Sequence, residues 1–331
     1  MCGIAGVVAL GHRAAAPDLE CLSRMVGSLR HRGPDELGVY RDRRAGLAHA
    51  RLSIIDVSAG QQPLSNEDGT LWISFNGEIF NYIELRADLI ALGHVFRTRS
   101  DTEVIVHAYE AWGDEAFARF NGQFAVALWD ATRQSLVLAR DHLGVRPLYF
   151  TEHAGRIYFA SEVKAIFAAD RSIPRALDPE GLEETFTFWT VVAPRTAFQG
   201  ISELRPGHVR TYAGGGVRER AFWRTRYPMG DEGKFRGTLD DAVVAVRDAL
   251  RAATRLRLLR ADVPVGSYLT GGLDSSIIAA LAHEVGGGHL STFSLRFDDD
   301  EYDESAFQGD MVRSLGSAHH EVVVSRRDIA R

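Results

Sequence analysis

The chain opens MCGIAGVV (residues 1–8): a cysteine directly behind the initiator methionine, then a glycine, then a short apolar run. Only two cysteines, Cys2 and Cys21, occur in 331 residues, so one at position 2 is worth a chemical reading. Removal of Met1, which a small second residue permits, leaves Cys2 carrying both a thiol and a free α-amine. The amine titrates near ~8 and the thiol near ~8.5, so the amine can take the thiol proton at neutral pH. Nucleophile and base then come from one residue, and no histidine partner is required. The apolar run over 2–10 reads as a strand, which would place the reactive group at the head of a buried element.

The bulk composition sets the frame around that strand. A chain of 331 residues is long for one hydrophobic core, so two domains are expected. A net charge of −6 and a pI near 6.1 give no electrostatic case for nucleic acid or an anionic membrane as partner. Two cysteines cannot build a disulfide framework, which points to a reducing compartment, the cytoplasm. The N-terminus lacks a basic signal-peptide region, and its apolar stretch breaks at Gly11, His12 and Arg13. No run approaches the roughly 20 apolar residues a membrane span needs.

Outward from the first strand, residues 18–29 carry apolar groups at helical spacing behind Pro17. LWISFNGEIFN (71–81) alternates as a strand, and 83–92 and 102–112 read as helices. QFAVALWD, SLVLARD, PLYFTEH and IYFASE follow as strands separated by short turns. The pattern implies two packed sheets covered by helices, an α+β layering. From 211 to 240 glycine and charge replace the pattern, so a junction belongs there. Residues 240–259 are then a helix with Val243, Val246, Leu250, Ala253 and Leu256 on one face. The arginines between Arg247 and Arg260 read as a solvated face. Beyond it the order is βαβαβ, the grammar of a parallel α/β sheet.

Within that second region, YLTGGLDSS (268–276) follows a strand and opens a helix, where free N–H groups face an anion. Gly271 and Gly272 let the backbone approach it, and Thr270, Ser275 and Ser276 add hydroxyl donors. Asp274 would repel phosphate unless a cation intervenes, which argues for a Mg²⁺-bridged polyphosphate. The G-x-x-x-x-G-K-[ST] pattern is absent, and GDEGKF fails its last position. In the first region, Asn76 and Gly77 would form an oxyanion hole, Glu78 and Asp101 would hold an ammonium, and Arg51 a carboxylate. Singly, each has an ordinary explanation: a hairpin turn at Asn76-Gly77, a helix cap at Asp101, a surface arginine at Arg51. The acidic stretch 298–304 reads as a solvated loop and supplies no ligands.

Together these strings are specific. MCGIAG, HRGPDE, HARLSIID, FNGEIFNY, SDTEV, FNGQFAVALWD, ARDHLGVRPLYF, FASEVKAI and YLTGGLDSS occur in one order across essentially the whole chain. In that order they resemble the glutamine-dependent asparagine synthetases, whose glutaminase is an N-terminal-nucleophile domain. The resemblance implies a four-layer sandwich of helices over two antiparallel sheets for residues 2–210. It implies a linker over 211–239, and over 240–331 the N-terminal, incomplete part of an α/β parallel-sheet ATP-pyrophosphatase domain. Cys2 is then the nucleophile that releases ammonia from glutamine. Arg51, Leu52, Ser53, Ile54, Ile55, Asn76, Gly77, Glu78 and Asp101 bind glutamine, with Asn76 and Gly77 at the oxyanion. Leu269, Thr270, Gly271, Gly272, Leu273, Asp274, Ser275, Ser276 and Leu295 bind ATP, and Asp274 binds Mg²⁺. Aspartate would be activated as its β-adenylate and amidated to asparagine, with AMP and diphosphate released. The small-molecule partners would be glutamine, aspartate and ATP, with no nucleic acid and no membrane. Family members run well past residue 331, so a truncated or split synthetase is expected, as a homodimer or with a partner chain supplying the rest. The rivals are an amidotransferase with another carboxylate acceptor, and a form retaining only glutaminase or nucleotide binding. Thr270 stands where the family usually has serine, which keeps the hydroxyl.

Overall fold

Every residue of β1 (Gly3–Ala9) is buried, because its two faces serve different cores. Ile4 and Val8 pack with Leu47, Trp129 and Leu138, whereas Ala5 and Val7 meet Leu22, Met25 and Ile166. That is the two-residue alternation of a strand covered on both sides. The structure is a computed structural model and describes residues 1–9, 16–299 and 301–329. Leu10, at the end of the expected first strand, and Asp300, in the acidic stretch, lie outside the described residues. The chain divides into two units, Met1–Arg226 and Tyr227–Arg331.

The first unit continues with α1 (Leu19–Gly27), β2 (Glu36–Arg41), β3 (Ala45–Arg51), β4 (Leu64–Ser65), β5 (Leu71–Ile79), α2 (Tyr82–Ala91), α3 (Asp101–Trp112) and α4 (Ala116–Arg119). Then come β6 (Gly122–Asp130), β7 (Ser135–Arg140), β8 (Tyr149–His153), β9 (Arg156–Ala160), α5 (Val163–Ala169), α6 (Pro179–Phe188), β10 (Ser202–Glu203), β11 (His208–Ala213) and β12 (Gly216–Ala221). The strands form two six-stranded sheets, β10-β8-β9-β1-β3-β2 and β12-β11-β7-β6-β5-β4. Their pairings are antiparallel throughout. β6 shows why they stack: Ala125, Ala127 and Trp129 face the other sheet, while Phe124, Val126 and Leu128 face α2 and α3 through Leu89 and Val104. With α1 and α5 on the far side of the first sheet, the unit has four layers, helices over two antiparallel sheets, as expected. Each such buried Phe or Leu contributes about 1.5–3 kcal/mol, which holds the inner strands rigid.

Local signals set the element ends. Asp18 Oδ1 accepts from the Glu20 N–H at 3.0 Å to start α1, and Ser100 Oγ accepts from Thr102 N–H at 3.1 Å to start α3. Ser100, not Asp101, is therefore the cap of α3, which frees Asp101 for another task. Asn76-Gly77 is no hairpin turn either, since both sit inside β5 opposite Ala125 and Phe124. The glycine is required by close approach: a Cβ there would lie 2.0 Å from the Gln123 carbonyl oxygen. The glycine-rich stretch after residue 211 is partly structured. Gly214 and Gly215, with φ of 58° and 78°, turn a β11–β12 hairpin. β11 pairs with β7 and buries Val209 and Tyr212, so this segment belongs to the first unit's sheet.

The second unit contains α7 (Leu239–Leu259), β13 (Ser267–Tyr268), α8 (Leu273–Val285), β14 (Ser291–Phe297), α9 (Ser305–Leu315), β15 (Ala318–Val324) and α10 (Arg326–Ile329). A capping box between Thr238 and Asp241 starts α7. The three strands pair in parallel, in the order β13-β14-β15. The first of these strands, β13, is only two residues long. The unit's core is small, built on Leu269, Ala279, Ala282 and Leu290. Apolar groups on β15 and α7 stay exposed, including Val322, Val323, Val243 and Val246. No helix among the described residues is long and apolar enough to cross a membrane.

Candidate functional site

The first strand starts at Gly3, so Cys2 stands at its mouth, with its backbone carbonyl held by Arg32 Nε at 2.9 Å. Arg32 is itself fixed by Glu162, its Nη1 lying 2.9 Å from Oε1. Cys2 Sγ lies 3.3 Å from the Leu52 N–H and 3.5 Å from the Leu52 carbonyl. Around it opens a cavity of about 210 Å³ whose walls include Cys2, Arg51, Leu52, Ile54, Ile55, Asn76, Gly77, Glu78 and Asp101. Of the residues expected here, Ser53 does not reach the cavity; its N–H donates to Asp35 Oδ2 at 2.8 Å. Among the described residues, no histidine lines the wall.

The free edge of β5 forms one wall. Among the described residues no strand pairs with that edge beyond Ile73, and side chains take over its N–H groups. Phe75 N–H donates to Gln62 Oε1 at 2.7 Å and Ile79 N–H to Asp101 Oδ2 at 3.0 Å. By the two-residue alternation the Gly77 N–H lies on the same edge, between them. Asn76 is buried, and neither Nδ2 nor Oδ1 has a hydrogen-bond partner. A buried amide left unpaired costs about 1–3 kcal/mol for each group, so its retention marks a place kept for a ligand.

The electrostatics follow from burial. Desolvation pushes the Cys2 thiol up, while the Leu52 N–H pulls it down, so the thiol is not ionised by its surroundings. Asp101 is pushed up to about 7, by burial first and by the neighbouring Glu78 charge, against the Ile79 N–H that favours the carboxylate. The Met1 amine, which is the N-terminus in this structure and not the Cys2 amine, is lowered by burial and then by Arg146 and Arg32, against the raising effect of Cys2.

In the second unit, Thr270, Gly271, Gly272, Leu273, Asp274, Ser275 and Ser276 form the turn between β13 and α8. Gly271 has φ of 84°, and Ser275 Oγ accepts from Thr270 N–H at 3.1 Å and donates to the Gly272 carbonyl at 3.1 Å. The turn is preshaped, with Asp274 in the first turn of α8. Leu269 is fully buried in this unit's core, so its side chain cannot line an adenosine pocket; only its backbone could. Leu295 is exposed on β14.

Comparison with known proteins meets this geometry from outside. Residues 1–223 match the family described as glutamine amidotransferase domain. The chain belongs to the glutamine amidotransferase family. Residues 245–331 match the family described as asparagine synthase. The chain is similar to asparagine synthetase [glutamine-hydrolyzing] 3 of Bacillus subtilis, at 35% identity over 99% of this chain and 55% of that protein. It is also similar to asparagine synthetase [glutamine-hydrolyzing] 1 of the same organism, at 38% identity over 98% of this chain and 50% of that one. The chain thus spans about half the length of the curated relatives it matches. Among solved structures, the allosteric regulatory enzyme of purine biosynthesis shares the fold at 18% identity, with a TM-score of 0.50 over 97% of this chain and 80% of that one.

The amidotransferase cavity also contains residues that the motif reading did not single out: Gly60, Gln62, Phe75, Ser100, Thr102 and Arg146. Arg146 comes from ARDHLGVRPLYF, whose other charged residues build its loop. Asp141 accepts from the Phe124, Leu143, Val145 and Arg146 N–H groups at 2.9–3.1 Å. Arg140 donates to the carbonyls of Arg146, Gly144 and Leu204. Arg146 is thereby buried against the cavity, in contact with Met1, with burial lowering its pKa. Arg51, expected to take the glutamine carboxylate, is no surface arginine: it is buried, its Nη1 pairs with Glu36 at 3.0 Å, and its Nη2 donates to the Asp56 carbonyl at 2.7 Å. Its guanidinium folds the 52–60 loop around itself. A ligand carboxylate would have to displace one of these partners.

Proposed function

We propose that the first unit hydrolyses the side-chain amide of glutamine, and that the chain carries the glutaminase and the start of the ATP-dependent half of an asparagine synthetase. The observation that carries this is the buried, unpartnered amide of Asn76 in one cavity with Cys2, Glu78 and Asp101. In this reading Met1 is removed and the Cys2 α-amine takes the proton from Sγ as Sγ attacks the carboxamide carbon. Asn76 Nδ2 and the Gly77 N–H receive the oxyanion, which supplies about 2.7–4 kcal/mol per donor. Collapse returns the proton to the departing nitrogen, ammonia leaves, and water hydrolyses the thioester to glutamate and free Cys2. Glu78 and ionised Asp101 hold the substrate ammonium. Arg51 takes its carboxylate in exchange for loop partners, and Leu52, Ser53, Ile54 and Ile55 form the loop beneath.

Residues 2–226 are assigned here to the glutaminase domain, because β11 and β12 complete its second sheet, 227–239 to the linker and 240–331 to the synthetase part. The exposed donors of the turn, Thr270 to Ser276, suit the phosphates of ATP, with Leu269 and Leu295 on the flanking strands. The carboxylate in that turn is Asp274, which would hold Mg²⁺, and the ion would neutralise phosphate charge. The acceptor of the ammonia is aspartate in this reading, giving asparagine, AMP and diphosphate.

Two assays test it. The full chain should release glutamate from glutamine, and Cys2→Ala should abolish that release with the circular dichroism unchanged. Turnover retained by Cys2→Ala overturns the glutaminase assignment. Mg²⁺–ATP binding should weaken at least tenfold in Asp274→Asn, and equal binding overturns the assignment of the turn.

A further inference from the structure

Away from the cavity walls, the connection between α2 and α3 brings together His94, from the loop, with His107 and Glu110, from one face of α3. His94 Nδ1 lies 3.2 Å from His107 Nδ1, which lies 2.7 Å from Glu110 Oε2; the third side of the triangle is 3.5 Å. We propose that these three side chains form a divalent transition-metal site, of the kind that takes Zn²⁺, with water completing a tetrahedral shell.

A single proton on one ring serves only part of this arrangement. A proton on His107 Nδ1 that points to Glu110 cannot also be aimed at His94, which is left with its own nitrogen against a protonated one. A cation serves all three at once. The three atoms lie on a circle of radius about 1.8 Å, so an ion about 0.9 Å from their plane stands 2.0–2.1 Å from each, the Zn–N and Zn–O length. Imidazole nitrogens with one carboxylate suit zinc-like ions rather than Mg²⁺ or Ca²⁺.

The surroundings hold the trio in place. His107 is fully buried with Phe96 packed edge-on, ring centroids 4.6 Å apart. Glu103 and Glu67 lie 3.7 and 3.9 Å from His107 Nε2, an atom with no hydrogen-bond partner. Carboxylates behind a ligating imidazole are the usual outer support of such sites. Asn66 Nδ2 donates to the other Glu110 oxygen at 2.8 Å, fixing that carboxylate. Because α3 begins at Asp101, an ion here would brace the helix that supplies one cavity wall, leaving the chemistry of that cavity alone.

The test uses the full chain in a Cys2→Ala background, stripped with chelator and titrated with Co²⁺ alone, then Zn²⁺. Expected is one Co²⁺ per chain with tetrahedral visible bands and no thiolate charge-transfer band, displaced by Zn²⁺. His94→Ala and Glu110→Gln should each weaken binding at least tenfold. At a hundredfold excess over Kd, Zn²⁺ should raise the melting temperature by about 5–10 °C in the parent and not in the variants. Absence of stoichiometric binding overturns the site, as does binding that both variants leave unchanged, and the trio is then a proton-sharing cluster only.

Discussion

Asn76→Ala offers a perturbation with two readouts of opposite sign. The substitution removes a buried amide whose two polar atoms have no partner in the free protein. Relief of those atoms is worth about 1–3 kcal/mol each, and the lost packing costs back about 1–2 kcal/mol. At the middle of those ranges the net gain is about 2.5 kcal/mol, which raises the melting temperature by roughly 5–10 °C for a unit of this size. Turnover moves the other way. Without the Nδ2 donor the developing oxyanion loses about 2.7–4 kcal/mol, so kcat for glutamate release falls 10²–10³-fold. KM for glutamine stays within a few-fold, because the donor acts on the transition state. Differential scanning calorimetry and a coupled glutamate assay on the same preparation give both numbers. A variant that melts lower than the parent, or one that keeps kcat within tenfold, refutes the idea that the amide is held unpaired for a reacting oxygen.

Asp101 should shape the pH profile: its folded pKa is near 7, and the carboxylate is the form that holds an ammonium. kcat/KM for glutamine should steepen below pH 7, from the one-proton slope set by the Cys2 amine to a two-proton slope, and an Asp101→Asn variant should show low activity with the amine slope alone. His49 predicts an acid effect on stability, since burial holds its folded pKa at about 4 against an ordinary 6.5. The unfolded chain binds that proton first, so stability falls by about 3 kcal/mol as pH drops from 6.5 to 4 and the term is flat below. Asp101 acts in the opposite sense, its raised pKa adding stability as pH falls through 7. Comparing urea midpoints of the parent and His49→Gln at pH 7 and pH 4 isolates the His49 contribution. Asp141→Ala strips four N–H groups of their acceptor. It should cost at least about 3 kcal/mol, read as an early thermal transition, and lower glutaminase turnover through the Arg146 loop.

The elements with strong local signals were legible. The helical spacing behind Pro17 gives α1, and the alternation of QFAVALWD gives β6, because burial on two faces forces that pattern. Weak signals were lost where tertiary pairing overrides composition. Gly214 and Gly215 read as a junction, yet they turn a hairpin whose inner strand, β11, pairs with β7. Asn76-Gly77 carries a strong short hairpin signal, and pairing with β6 holds it in mid-strand. The residue types at the cavity were readable from spacing and resemblance, but their states were not. That Ser100 caps α3 and releases Asp101, that Arg51 is occupied by its own loop, and that Arg146 reaches the cavity are facts of three-dimensional closure.

By itself, the sequence determined the inventory: a cysteine at the head of an apolar strand, alternating strands enough for two sheets, and a glycine-serine turn opening a helix. These follow from covalent order and short-range periodicity, which any chain displays before it folds. The tertiary structure alone decided which polar groups lose water and which find partners. Burial and pairing depend on residues far apart in the chain, as when Asp101 meets Ile79 across 22 positions. The unpaired amide of Asn76 and the displaced acidity of Asp101 exist only once those contacts have formed.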